Sequence, residues 1–374
     1  MATKIFYIYQ VLKDSHGKQI KFNVCCGKTS KVVGIDELRH LFKVGICTNA
    51  VLVKGSYVRA KAGKKILFIV QTDKDDIKDL SKYKNSKEYD GNTDKCGVTI
   101  NGVDYIAKYP KREGDSSIFS EHVASKFIRN LGYEAHETKL IKTTKGLVVL
   151  LKDFAVNGAK LRPFKDTEES SADTDINNKN YTYDDIKYMI SKHTKIPESL
   201  KKESIKRFWE MYLLDAILGN RDRHHGNWGY LAIGKAYTMA PIFDNGSSLF
   251  PDVQRELAKS HNWEEFIAQR SERYPASLLC EYSESEHRIK RTNYYEYIGR
   301  KLKSGNDEEF KEAYKGLVDK GYKKVRQAII SAVGSSNLIP NELKKFYVDI
   351  VCVRYLHIIE RLTIEDSIGQ VLIK

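Results

Sequence analysis

Short alternating runs of hydrophobic and polar residues dominate the first part of the chain, and such alternation predicts half-buried β-strands. Runs of this kind lie at Ile5–Leu12, Ile20–Cys25 and Lys64–Val70. Helical spacing at Asp36–Phe42 predicts a helix. Between Asp73 and Asp90 the residues turn charged and polar, which indicates a domain boundary. The sequence therefore predicts a small α+β unit over residues 1–80.

A hairpin and a helix begin the second part of the chain. Val98–Ile100 and Val103–Lys108 flank the dipeptide Asn101-Gly102, which suits a type I′ turn because both central residues need a positive φ. Ser117–Gly132 has its apolar residues on one helical face and a glycine suited to a helix end. The apolar run Leu147–Leu151 is typical of a buried strand.

The clearest helical pattern lies at Ser204–Leu218, where large apolar residues share one face and a glycine follows. A polar stretch over Asp166–Asn180 predicts an exposed excursion before this helix. Trp228–Ile233 and Tyr237–Phe243 predict a second hairpin after it, and the chain beyond Gln254 is expected to be mostly helical.

Composition narrows the class of protein. A chain of 374 residues with 41% hydrophobic and 30% charged residues is expected to fold, and to contain more than one packed unit. Its net charge of +14 favours an anionic partner, although no basic run or nucleic-acid-binding motif stands out. The six cysteines form no CxxC pair, which favours reduced thiols. With no signal peptide or apolar span recognised, we expect a cytoplasmic protein.

Ionisable and amide side chains crowd into the turn after the clearest helix. The run is Asn220-Arg221-Asp222-Arg223-His224-His225-Gly226-Asn227. Asn, Asp and Gly are also ordinary turn formers, so the spacing carries the functional hypothesis. In protein kinases a catalytic-loop Asp handles the acceptor hydroxyl, and an Asn five residues later and a further Asp bind Mg²⁺. Those roles fall on Asp222, Asn227 and Asp244.

ATP chemistry explains why these residue types are needed. Oxygen ligands from Asn227 and Asp244 suit Mg²⁺, which neutralises phosphate charge. The kinase hypothesis also requires a strand lysine and a helix glutamate to hold it, and Lys108 and Glu121 meet that requirement. The adjacent histidines could suggest zinc, but further ligands are not evident nearby, so we interpret them as structural or substrate-orienting.

The pattern Asn220-x-Asp222-x-His224-x-x-Asn227, with Asp244 after a hairpin, resembles the HipA-like bacterial serine/threonine protein kinases over about residues 88–374. The resemblance implies an α+β, two-lobed protein-kinase-like fold that uses ATP and Mg²⁺. It further implies transfer of phosphate to Ser or Thr of protein substrates, with autophosphorylation. Export or delivery to another cell is implied by the resemblance only.

In this resemblance residues 88–155 form the kinase N-lobe and residues 156–374 a largely helical C-lobe, after the small N-terminal subdomain. Asp222 would be the catalytic base, with Lys108 and Glu121 as its catalytic partners. The phosphate loop would be Gly91-Asn92-Thr93-Asp94-Lys95, and the hinge would follow Leu151. Candidate cofactor-binding residues are Thr93, Asp94, Lys95, Lys108, Lys152, Phe154 and His224, and the candidate metal ligands are Asn227 and Asp244.

Several positions depart from kinase patterns. No G-x-G-x-x-G loop is present, and Asp244-Asn245-Gly246 lacks the phenylalanine that can swing in other kinases. Glu88 stands where relatives carry a self-phosphorylated serine, and Ala155 where they carry an acidic group for the ribose.

Two other functions stay open at this stage. The charge and 23 tyrosines allow a nucleic-acid-binding, toxin-like or pseudokinase interaction protein. Asp222, His224, His225 and Asp244 also allow a metal-dependent phosphohydrolase or nuclease. The sequence does not identify the protein substrate, the autophosphorylation site, the oligomeric state or the role of residues 1–80.

Overall fold

The chain folds into two compact units, residues 1–78 with 335–338, and residues 79–334 with 339–374. The computed structural model describes residues 7–13, 19–26, 29–33, 57–62, 65–70, 79–87, 95–167, 181–257, 262–272, 275–283 and 287–372. The predicted helix at Asp36–Phe42 lies outside these residues, as does most of the Asp166–Asn180 excursion.

The first unit is built from antiparallel strands in its described part. Strands β1 (Tyr7–Lys13), β2 (Gln19–Cys26) and β3 (Thr29–Val33) form a sheet in the order β1-β2-β3, and β4 (Tyr57–Ala62) pairs with β5 (Lys65–Val70). The strands predicted from alternation in this region are confirmed.

The second unit begins with a four-stranded antiparallel sheet in the order β6-β7-β9-β8. Its strands are β6 (Lys95–Ile100), β7 (Val103–Lys108), β8 (Thr138–Thr143) and β9 (Gly146–Lys152). Between β6 and β7, Asn101 and Gly102 have φ values of 51° and 75°, as the predicted hairpin requires.

Helix α1 (Ser117–Asn130) packs on β8 and β9 through a fully buried face that includes Val123 and Phe127. The sequence predicted that Gly132 would follow the end of this helix, and it does. The helix ends at Asn130, and Gly132, with a φ of 93°, turns the chain into the next segment.

A second sheet and a long helix lie in the middle of this unit. Strands β10 (Lys160–Pro163), β11 (Gly229–Ile233) and β12 (Ala236–Met239) pair in that order. The helices here are α2 (Tyr183–Lys192) and α3 (Glu198–Leu218). Helix α3 was predicted from Ser204 and starts six residues earlier, directly after Pro197.

The prediction that strand Tyr237–Phe243 is continuous is wrong. The strand stops at Met239, and Pro241 has no N–H to continue the ladder. Ile242 instead exchanges backbone hydrogen bonds with Glu134 and His136, in the segment between α1 and β8. This change of partner directs the residues after it toward α1.

The last part of the chain is mostly helical, as predicted. Its helices are α4 (Gln254–Leu257), α5 (Trp263–Glu272), α6 (Tyr294–Ser304), α7 (Glu308–Val318), α8 (Gly321–Val333) and α9 (Asn341–Leu372). The pairing of β13 (Pro275–Ser283) with β14 (Arg288–Asn293) was not predicted. Within the described part of the chain, we find no helix with the length and apolar character needed to cross a membrane.

Helix α3 ends against an arginine from α9. Gly219 has a φ of 66°, and a Cβ there would lie 3.3 Å from Cζ of Arg354. The Nε of Arg354 donates to the carbonyl of Ala216 at 2.9 Å, so the guanidinium caps the carbonyl end of the helix.

We expect Gly219→Ala to lower the free energy of unfolding by about 1–2 kcal/mol, since an L-residue is strained in this left-handed region and the neighbouring guanidinium must move. Gly316→Ala in α7 is the matched control, because in the described part of the chain nothing beyond its chain neighbours and its own helix backbone lies within 4 Å of the added Cβ. Denaturant unfolding measures both variants. Equal effects would show that the backbone at Gly219 is not restrictive.

Candidate active site

The loop after α3 is held by a buried asparagine. Asn220 accepts a hydrogen bond from the backbone N–H of Asp222 at 3.0 Å, and its side chain donates to Asp215 at 3.2 Å. Its carbonyl accepts from the hydroxyl of Tyr294 at 3.1 Å. Asn220 is fully buried, whereas Asp222 is exposed. The loop therefore presents the Asp222 carboxylate to solvent on a fixed backbone.

Arg223, next to Asp222, is fully buried and forms hydrogen bonds to three segments of the chain. Its Nε and Nη2 donate to the two carboxylate oxygens of Asp215 at 2.9 and 3.1 Å. Its Nη1 donates to the carbonyl of Asn227 at 3.1 Å and also to that of Phe243. The buried pair of Arg223 and Asp215 was not predicted, because in the sequence Arg223 is recognisable only as the neighbour of Asp222.

The side-chain amide nitrogen of Asn227 forms a hydrogen bond within the loop. Its Nδ2 donates to the carbonyl of Asp222 at 2.9 Å, and the residue is buried. The amide oxygen is the remaining end, and it is a hard ligand of the kind that Mg²⁺ prefers.

Asp244 follows Phe243 with a φ of 57°, an uncommon conformation for a non-glycine residue that fixes the direction of its side chain. Lys108 Nζ lies 2.8 Å from Oδ1 of Asp244 and 3.1 Å from Oε2 of Glu121. One lysine thus joins the end of β7, helix α1 and the segment after β12. The sequence predicted Lys108 and Glu121 as a pair and a different role for Asp244, and the fold brings all three together.

The electrostatics of this cluster favour the charged forms of Lys108 and Asp244. Burial alone would lower the pKa of Lys108, but the carboxylates of Glu121 and Asp244 raise it above its ordinary value. Burial would raise the pKa of Asp244, and Lys108, Arg223 and His224 outweigh burial and hold it below its ordinary value. The carboxylate of Asp244 is still 42% exposed, so it can also reach a ligand.

Lys95 is the directly opposed partner of Lys108 across β6 and β7. Opposed residues of an antiparallel pair have their side chains on the same face of the sheet. The structure thus places two lysines side by side in the sheet. Thr93 and Asp94, predicted with Lys95 to contact the nucleotide, lie outside the described residues.

The predicted hinge residues are fixed by neighbouring side chains. The N–H of Lys152 donates to the carbonyl of Glu137 at 2.9 Å, and its carbonyl is 2.9 Å from Nε2 of His136. The ring of Phe154 contacts those of His136 and Phe243, with centroids 4.8 and 5.7 Å away. His136 was not predicted, and it links the hinge to the segment that leads into Asp244.

Asp153, which lies between Lys152 and Phe154 in the predicted hinge, is also buried. Its Oδ1 accepts from the N–H of Ala155 at 2.8 Å, and its Oδ2 lies 2.8 Å from Nζ of Lys87. The same Nζ is 2.9 Å from Asp104 on β7. Asp153 therefore secures the hinge to the sheet.

The two histidines of the loop differ in their surroundings. His225 is buried between the rings of Phe164 and Tyr181, and burial lowers its pKa to about 3. His224 is exposed, and its Nδ1 accepts from the N–H of Gly226 at 3.0 Å. Among the described residues no group of three or more His, Cys, Asp or Glu side chains could hold a metal ion. The two predicted ligands, the carboxylate of Asp244 and the amide oxygen of Asn227, are both oxygen donors of the kind that Mg²⁺ prefers.

Comparison with known proteins gives consistent matches over the second unit. The family model of the HipA-like C-terminal domain matches residues 87–300. The serine/threonine-protein kinase CtkA of Helicobacter pylori is 31% identical over 219 residues, which are 55% of this chain and 64% of that protein. The chain thus spans slightly less than two thirds of this curated relative's length.

Solved structures also match. The crystal structure of the Helicobacter pylori proinflammatory kinase CtkA aligns with a TM-score of 0.58 at 25% identity, covering 72% of this chain and 95% of that chain. The HipA protein in the Shewanella oneidensis MR-1 complex of HipA, HipB and operator DNA aligns with a TM-score of 0.45 at 11% identity, covering 74% and 67%. The CtkA match shows that the chain shares a two-lobed, kinase-like fold.

Proposed function

Because this chain belongs to the family of proteins with a HipA-like C-terminal domain, we propose that it is an ATP- and Mg²⁺-dependent protein kinase that phosphorylates serine or threonine. Its substrates would be proteins, this chain itself included. The observation that carries the proposal is the contact of Lys108 with both Glu121 and Asp244, beside the loop that presents Asp222. The similarity to CtkA, which is named a serine/threonine-protein kinase, supports it.

The residues of the cluster fit a magnesium-bound nucleotide. Lys108, held by Glu121, would give up part of its contact with Asp244 and bind phosphate oxygens, and Lys95 would add positive charge from the adjacent strand. Asn227 and Asp244 would hold Mg²⁺, which when bound neutralises charge on the phosphates. The backbone at Lys152 and Phe154 would contact adenine, with Thr93, Asp94 and His224 as further nucleotide contacts.

Asp222 would act on the acceptor. Its exposed carboxylate can accept a hydrogen bond from a serine or threonine hydroxyl and orient the oxygen toward the γ-phosphorus. The new O–P bond forms as the bond from phosphorus to the β–γ bridging oxygen breaks, ADP leaves, and the hydroxyl proton passes to Asp222. Because Asn220 and Arg223 fix the loop, little reorganisation is needed when the acceptor arrives.

We expect phosphate transfer to require a divalent cation, since Asn227 and Asp244 act only through it. The measurement is the incorporation of labelled γ-phosphate into this protein or a generic basic protein, with Mg²⁺, with Mn²⁺ and in excess chelator. Transfer should stop in chelator and return when Mg²⁺ is restored. Transfer that continues in excess chelator would exclude these two residues as metal ligands.

The other functions have less support in the structure. A phosphohydrolase that uses both histidines would need His225, which is enclosed by aromatic rings. A nucleic-acid-binding role rests on the net charge of +14 and the 23 tyrosines, without a recognised binding motif, so an anionic partner remains a secondary proposal.

A further inference from the structure

Asn245 occupies the position directly after Asp244, and all of its side chain is buried. Its Oδ1 accepts from Nη2 of Arg223 at 2.5 Å, and its Nδ2 donates to the hydroxyl oxygen of Ser125 at 2.9 Å. Its backbone N–H donates to Oε1 of Glu121 at 2.9 Å. Both ends of the side-chain amide and the main-chain donor are therefore satisfied, as buried polar groups require.

The partners of Asn245 belong to the two halves of the candidate site. Glu121 and Ser125 are four residues apart on α1 and so lie on the same helical face. Glu121 uses its other oxygen to hold Lys108. Arg223 lies in the loop that presents Asp222 and also binds the carbonyl of Asn227. Asn245 thus connects the helix that positions the lysine with the loop that carries the acceptor-side residues.

The glycine that follows permits this close approach. A Cβ on Gly246 would lie 3.3 Å from Oε2 of Glu121, which is tighter than ordinary contact. The chain after Asp244 therefore lies directly against α1, and the hydrogen bonds of Asn245 fix it there.

We infer that Asn245 is a positioning residue that couples helix α1 to the catalytic loop through the Ser125–Asn245–Arg223 hydrogen bonds, and so keeps Lys108, Glu121 and Asp244 aligned before a nucleotide binds. An apolar residue at this position could rotate away and release α1. A buried amide with two fixed partners cannot do so without leaving both of them unpaired. The inference rests on the proposed function, because alignment matters only if the site transfers phosphate.

Three variants test this coupling. Asn245→Leu removes both side-chain hydrogen bonds at similar volume. Asn245→Asp keeps the shape of the side chain and can keep both hydrogen bonds, since a carboxylate can accept from Arg223 and from the hydroxyl of Ser125. Ser125→Ala removes one bond only. Ser248→Ala is the matched control, because Ser248 is buried in the same loop and its hydroxyl has no hydrogen-bond partner in the described part of the chain.

The expected result is a split between kcat and KM. Misplacing a catalytic group by about 1 Å can cost roughly 10²-fold in rate, so kcat of Asn245→Leu should fall by about that factor while KM for ATP changes much less. Asn245→Asp should recover most of the loss, Ser125→Ala should be intermediate, and Ser248→Ala should match the parent. A folded Asn245→Leu variant with parental kcat would overturn the inference, and so would an Asp variant as slow as the Leu variant.

A measurement independent of activity separates this inference from the proposed function. Hydrogen exchange of α1 amides in nucleotide-free protein should be faster in Asn245→Leu than in Ser248→Ala, while amides at 341–359 in α9 stay unchanged. If the parent transfers no phosphate, the proposed function fails. The hydrogen-exchange rates of the α1 amides still test whether Asn245 couples α1 to the loop. Unchanged exchange in α1 would overturn the inference whatever the activity. If Asn245→Leu does not fold, Ser125→Ala and Asn245→Asp decide the same question.

Discussion

Asp222→Asn is expected to bind magnesium–ATP nearly as well as the parent and to lose almost all phosphate transfer. The carboxylate is exposed, and among the described residues the ion pairs of Lys108 are with Glu121 and Asp244, so Asp222 is expected to act in the acceptor step and to contribute little to nucleotide binding. Removing a positioned base typically costs roughly 10²–10⁴-fold in rate. Calorimetric titration of ATP with Mg²⁺, in parallel with a transfer assay, measures the two effects separately.

Two comparisons make this result specific. Asp184→Asn introduces the same change at an exposed carboxylate on α2 and should leave both quantities unchanged. Asp244→Asn should weaken metal-dependent binding as well as transfer, because it alters a proposed ligand. If folded Asp222→Asn keeps near-parental transfer, Asp222 has no catalytic role.

Lys108→Ala should reduce transfer by roughly 10²–10³-fold, the loss expected when a charge that stabilises the transition state is removed. It should also weaken ATP binding. The side chain is 16% exposed and its pKa is raised by two carboxylates, so the ammonium stays charged at neutral pH and is available to phosphates. Its loss leaves Glu121 and Asp244 facing one another without their shared cation. Glu121→Ala should act in the same direction and less severely.

The control for Lys108→Ala is Lys142→Ala, which truncates an exposed lysine on β8 of the same sheet. Its transfer rate should equal that of the parent, and circular dichroism should show that both variants are folded. Parental activity in Lys108→Ala would mean that the lysine has only an electrostatic role in the free protein and that the predicted nucleotide site is elsewhere.

Local sequence signals were sufficient for much of the fold. The Asn-Gly turn between β6 and β7, the apolar face of α1 and the glycine after α3 each act within a few residues, and each was found where the sequence predicted it. The predictions of HipA-like family membership and of a kinase-like fold are confirmed. The hairpin of β13 and β14 was missed because Leu278, Leu279 and Cys280 are all buried, so the first strand shows no alternation.

The candidate site was predictable only where residue type and spacing carry chemistry. Asp222, Asn227 and Asp244 have a recognisable order, and the roles proposed for them remain predictions. Asp215, Ser125 and His136 have no such signal, because their importance comes from contacts made by folding. Ser125, for example, meets Asn245 across 120 residues of chain. Sequence periodicity does not report such a pairing.

The fate of the γ-phosphate of ATP tests the proposed function most directly. Purified protein is incubated with labelled ATP and Mg²⁺, with and without a generic basic protein or a DNA duplex, and the label is separated into protein-bound and free phosphate. We expect the label on serine or threonine of protein, no cutting of the DNA, and no transfer by Asp222→Asn. Release of the label only as free phosphate, or cleavage of the DNA, would contradict the assignment of this protein as a kinase.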